Sequence, residues 1–171
     1  MSGKLLLWIG ALTLGLDAAA AFAPSDVLAA AKAKKSVYFS DTVFWGGDAL
    51  ADPVNLAGVR WAPNQGFERI VVDLGSAGGS DGKLPPYFQV GVSSARQAIT
   101  VSIKGITERG TTNEKLSGVL RKSALIQSAY IAPPVEGDLA ALEFTTKGTV
   151  DVESFYLVDP PRIVIDVRAK N

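Results

Sequence analysis

From Ser36 onward, hydrophobic residues come in short runs of β-branched and aromatic side chains, set apart by Gly, Pro, Asn and Asp. This punctuation predicts strands, because branched and aromatic side chains suit a pleated surface and the breakers suit turns. The runs place strands at 37–45, 54–61, 68–74, 87–92, 99–106, 124–131, 140–146, 150–158 and 162–168. Turns fall at Gly46-Gly47, Pro63-Asn64-Gln65-Gly66, Pro133-Pro134, Glu136-Gly137-Asp138 and Asp159-Pro160-Pro161. Many short strands joined by polar turns predict an all-β fold, a sandwich or a barrel. Residues 113–122 read either as a turn of helix or as a weak strand, with Gly118 counting against a long helix. Residues 75–83 are a Gly/Ser loop by composition; no Gly-Lys-Ser/Thr ends it, so it is not a phosphate loop.

The N-terminus follows another pattern. Lys4 precedes an apolar stretch from Leu5 to Leu16, and small residues follow from Ala18 to Ala23. About a dozen apolar residues fit a signal-peptide core and fall short of the ~20 that span a bilayer. Residues 1–23 are therefore expected to be a secretory signal, cleaved after Ala21 or Ala23, against the alternative of an uncleaved anchor. No Cys follows the apolar run, which removes lipoprotein attachment. Residues 24–36 form an Ala/Lys-rich lead-in: a short helix capped by Ser25 or Asp26, or a solvated segment. The remainder, 37–171, has the size of one β domain. The expected location is the periplasm or another exported compartment of a bacterial envelope, with no transmembrane segment in the mature chain.

Charge and composition narrow the chemistry. Seventeen basic and 17 acidic residues balance, so no electrostatic footprint for nucleic acid is present. Cysteine is absent, and the core must hold the fold without disulfides. Histidine is absent as well, which removes Ser-His-Asp and Cys-His catalysis and His-ligated zinc. Neither a metal nor another cofactor is expected. Asp73-Leu74-Gly75-Ser76 echoes the Asp-Thr/Ser-Gly of aspartic proteases, but Leu74 stands where that motif has a small hydroxyl residue.

Two segments nearly repeat. Arg69-Ile70-Val71-Val72-Asp73-Leu74 and Arg162-Ile163-Val164-Ile165-Asp166-Val167 both read Arg-Ile-Val-aliphatic-Asp-aliphatic. Strand alternation puts Ile70, Val72 and Leu74 on one face, and Ile163, Ile165 and Val167 likewise, as core. Arg69, Asp73, Arg162 and Asp166 take the opposite face, the second pair outward or toward a partly covered surface, and Arg69 and Arg162 are expected outside the core. Within a strand, Arg and Asp sit ~13 Å apart, so each needs a partner on a neighbouring strand. Those charges are read either as cross-strand pairs at a sheet edge or as matched rows presented to a ligand.

With Leu56-Ala57-Gly58-Val59-Arg60-Trp61 and the closing Leu157-Val158-Asp159-Pro160-Pro161-Arg162-Ile163-Val164-Ile165-Asp166-Val167, these strands resemble the AMIN domain. That domain lies N-terminal to periplasmic N-acetylmuramoyl-alanine amidases and in type IV pilus secretins. The best match covers 54–168, with residues 75–139 longer than usual. The resemblance implies a sandwich of two similar β-sheets and a non-catalytic role in targeting proteins to the cell wall, often by binding peptidoglycan.

Polysaccharide sites combine aromatic faces with directed hydrogen bonds, which makes Trp45, Trp61, Tyr87 and Tyr156 the aromatic candidates. The expected ligand-binding set is Arg69, Asp73, Arg162, Asp166, Trp61 and Tyr156, with no catalytic residue. Peptidoglycan or an envelope protein is the expected partner. The alternatives are an adaptor that pairs through a strand edge and a carboxylate-based enzyme. An aromatic groove, a bare apolar edge or a close carboxylate pair would separate the three.

Overall fold

The computed structural model describes residues 37–76, 84–133 and 139–170. The expected signal segment and lead-in lie outside them. The described chain runs β1 (Val43–Gly46), β2 (Val54–Asn64), β3 (Phe67–Ser76), β4 (Phe88–Ser93), β5 (Ala98–Ile103), β6 (Ile106–Arg109), α1 (Asn113–Leu120), β7 (Ile126–Ile131), β8 (Ala140–Thr146), β9 (Val150–Leu157) and β10 (Arg162–Ala169). Two five-stranded sheets result, ordered β1-β4-β5-β8-β7 and β6-β2-β3-β10-β9. The fold is the all-β, two-sheet sandwich that the strand pattern predicts.

One core lies between the sheets. β2, β3 and β10 supply Leu56, Ile70, Val72, Ile163 and Ile165, and β4, β5 and β8 supply Val90, Ile99, Val101, Leu142 and Phe144. Each such aliphatic side chain contributes about 1.5–3 kcal/mol by leaving water.

The near-repeat is resolved within one sheet. β3 and β10 are antiparallel neighbours, with Arg69 opposite Asp166 and Arg162 opposite Asp73. Antiparallel pairing of two Arg-x-x-x-Asp strands brings the Arg of each against the Asp of the other. Both strands are central, so these charges do not guard an edge.

Three local features depart from the sequence pattern. The run 37–45 bends at Asp41 (φ 51°). Before the bend, Phe39 exchanges both backbone hydrogen bonds with Val152 of β9; after it, β1 pairs with β4. The N-terminal segment thus bridges the two sheets. The Asp41 side chain accepts the Ser94 amide at 2.6 Å, and that bond lowers its pKa. The run 99–106 divides at Gly105 (φ 75°), a left-handed turn that favours glycine, and the chain passes from β5 to β6 of the other sheet. The ambiguous segment is a helix: Thr112 caps it by accepting the Lys115 amide, and Leu116 and Leu120 are buried. A Cβ at Gly118 would meet nothing within 4 Å, so this glycine costs only helix propensity.

Among the described residues the sheet edges are short or partly covered, which limits edge-to-edge pairing, and the β1 edge has only four residues. α1 packs against β7, and the Asn113 side chain accepts the Ile131 amide at 2.6 Å. Phe39 pairs with β9. β6 has four residues, ending in exposed Glu108 and Arg109. Among the described residues no helix is long and apolar enough to cross a membrane.

Candidate functional site

The outer face of the β6-β2-β3-β10-β9 sheet carries the charges singled out by the repeat. Arg69 is 1% exposed and Asp166 2%, and the two form a bidentate pair, Nε to Oδ1 and Nη2 to Oδ2, both 2.6 Å. The expectation that Arg69 lies outside the core is corrected here: it is on the outer face, yet buried. Phe67 and Phe155 each sit 5.5 Å from its guanidinium carbon, and the neighbouring Val71 and Val164 are buried too. A planar, weakly hydrated guanidinium tolerates such a setting when its donors are matched bidentately. Glu153 on β9 stands opposite Asp166 and is also buried. Two carboxylates thus share the packed face with Arg69.

Asp73 does not join Arg162. It accepts both Nε (2.6 Å) and Nη2 (2.7 Å) of Arg60 on β2, and the hydrogen bond raises the Arg60 pKa. Half-buried Arg162 donates to the Asp159 carbonyl at 3.3 Å. Sequence reasoning missed Arg60, although it lies in the Gly-Val-Arg strand.

Trp61 projects inward. It packs against the core, and its indole donates to Glu68 at 2.8 Å. Glu68, in phase with Ile70 and Val72, is buried and also accepts from the Ser123 hydroxyl and from the Ala124 and Leu125 amides at 2.6 and 3.2 Å. Sequence reasoning missed this residue as well. The signal was present: a carboxylate on the core face of a strand must find buried donors. Tyr156 is 39% exposed and meets Phe88 edge to face, ring centroids 6.1 Å apart.

Tyr38 lies over the Arg168 guanidinium, 4.3 Å from centroid to Cζ, and Arg168 also reaches Asp151 at 3.2 Å. Burial first, then the negative charge of Asp166 and Glu153, pushes the Tyr38 pKa up to about 12. A free tyrosine ionises near pH 10, so above about pH 10 the unfolded chain loses its Tyr38 proton while the folded chain keeps it. The contribution is intact below pH 10 and is lost as pH rises toward 12. Tyr38→Phe is expected to flatten that decline relative to the wild type. Urea midpoints of both proteins across pH 9–12 measure it, and parallel declines would remove the assignment.

The outer face of the β1-β4-β5-β8-β7 sheet is built differently. One cross-strand row runs Trp45, Gln89, Ser102, Ala141, and the next runs Val43, Gly91, Thr100, Glu143, Tyr130. Small and hydroxyl residues occupy the middle and aromatics stand at both margins, Trp45 74% exposed and Tyr130 44%. Tyr87 accepts from Gln89 at 2.7 Å beside Trp45. The one carboxylate in these two rows, Glu143, is held by Arg96 at 3.3 Å and by the Tyr130 hydroxyl at 3.4 Å. Strands ~4.8 Å apart make the face ~19 Å across. Trp45 and Tyr87 were legible as candidates in the sequence; Tyr130 was not, because only the register reveals that it shares a face with Trp45.

Among the described residues no group of three or more Asp or Glu gathers as a metal site. Compared with known proteins, the chain matches no family model and no curated protein.

Proposed function

We propose that this chain is a non-catalytic, exported module of the bacterial envelope, of the AMIN type, that binds peptidoglycan on the outer face of the β1-β4-β5-β8-β7 sheet. One observation carries the reading: a nearly uncharged sheet face bounded by exposed Trp45 and Tyr130. Aromatic rings stack on the apolar faces of sugars, and the hydroxyl and amide groups of Gln89, Thr100 and Ser102 supply directed hydrogen bonds between them. The all-β two-sheet architecture is the one that the AMIN resemblance implies. The adaptor reading has less support because the strand edges are paired, covered or short. The enzyme reading has less because Asp73 and Asp166 are each held by an arginine.

Binding through stacking and neutral hydrogen bonds on this face depends little on salt. The protein is expected to sediment with isolated cell-wall sacculi, and Trp45→Ala or Tyr130→Ala to weaken that binding about tenfold or more, as loss of an aromatic anchor does. Sacculus pull-downs with the three proteins test this. No sedimentation of the wild type at either low or high salt would remove the peptidoglycan reading.

A further inference from the structure

Beside the Tyr130 margin, a groove opens between the C-terminal end of α1 and β7. Its floor includes Leu120 and Ile126, both buried. Around them stand Arg121, Gln127, Ser128 and Lys147, all exposed, and among the described residues no carboxylate lines it. The β7–β8 register skips Gln127: Ile126 faces Thr146 and Ser128 faces Thr145. This bulge breaks the alternation of side chains and re-aims one of them at the rim. Lys147 is anchored, its Nζ donating to the Ser123 carbonyl at 2.6 Å, which leaves two ammonium protons for another acceptor. Among the described residues Arg121 has no ion-pair partner.

We infer that this groove is a carboxylate subsite that holds a short peptide of small side chains by its C-terminal carboxylate. The apolar floor takes methyl-sized groups, Gln127 and Ser128 meet the peptide backbone, and Arg121 and Lys147 meet the carboxylate. Peptides with such a small C-terminal end hang from the glycan of peptidoglycan as its stems, so the inference rests on the proposed function and extends it. Ser128 and Tyr130 lie on the same face of β7. A glycan strand across the sheet therefore ends beside the groove, where a stem can enter. Two chemistries then act in one ligand: a glycan contact indifferent to salt and a stem contact weakened by it.

The test uses 15N-labelled protein titrated with a synthetic peptidoglycan stem pentapeptide and with its C-terminal amide. The free acid is expected to shift the amide resonances of Arg121, Gln127, Ser128 and Lys147. The amide form, or the Arg121→Gln/Lys147→Gln variant, is expected to bind about fivefold more weakly or worse. No shifts, shifts elsewhere, or equal binding of acid and amide overturns the inference whatever the sacculi do. Glycan strands stripped of their stems separate the two readings. The double variant should bind them as the wild type does, and Trp45→Ala should not. Failure of the stripped glycan alone removes the platform and leaves the groove to stand on the peptide titration.

Discussion

Replacing Asp166 with Ala is expected to destabilise the domain by about 3–5 kcal/mol, the cost of breaking a buried ion pair by removing one partner. Arg69 then keeps its position between Phe67 and Phe155 but loses its two 2.6 Å bonds to Asp166. No simple rearrangement brings it to water, since it lies on a central strand with buried Val71 beside it. Asp166→Asn keeps one acceptor oxygen and is expected to lose less. Asp73→Ala provides the contrast: its partner Arg60 is 41% exposed, so water replaces the carboxylate and the loss is about 1 kcal/mol or less. Urea unfolding of the three variants measures the ordering. Equal small losses for Asp166→Ala and Asp73→Ala would mean that the inner pair contributes no more than a surface bridge.

The same pair shows where sequence reading of this chain stops. Alternation along 68–74 and 162–168 places Ile70, Val72, Ile163 and Ile165 in the core, and there they lie. The run at 140–146 coincides with β8. These features depend on side-chain period, which is a local property. Burial of Arg69 depends instead on what lies across it: Asp166 is 97 residues away, and Phe155 belongs to a third strand. The choice of Arg60 over Arg162 as the partner of Asp73 is equally non-local, since both arginines are available to it from adjacent strands. The helix at 113–120 was ambiguous because its stability comes from burying Leu116 and Leu120 rather than from a sequence containing Gly118.

The candidate surface was half legible for a related reason. Trp45 and Tyr130 lie 85 positions apart in the chain and on opposite margins of one sheet. Aromatic content names Trp45 as a candidate but does not single out Tyr130, and only the order β1-β4-β5-β8-β7 places the two on one face. Of the charges prominent in the sequence, Arg69 and Asp166 hold each other and Asp73 is held by Arg60. The neutral face between two aromatics, which no motif marks, is the surface left open.

Glu68→Ala is expected to cost about 3–5 kcal/mol. Its carboxylate accepts from the Trp61 indole, the Ser123 hydroxyl and two backbone amides, and each buried donor left unpaired costs about 1–3 kcal/mol before water enters. These donors belong to β2 and to the corner that joins α1 to β7, so Glu68 fixes where that corner sits on the sandwich. Glu68→Gln keeps one acceptor oxygen but turns an amide donor toward N–H groups, and a loss of about 1–3 kcal/mol leaves it folded. In that folded variant the α1–β7 groove is expected to lose affinity for the free-acid stem peptide, while binding to stem-free glycan through Trp45 stays at the wild-type level. Chemical denaturation together with the two binding measurements decides the point. Equal loss of both ligands would mean that Glu68 supports the domain as a whole rather than the corner that shapes the groove.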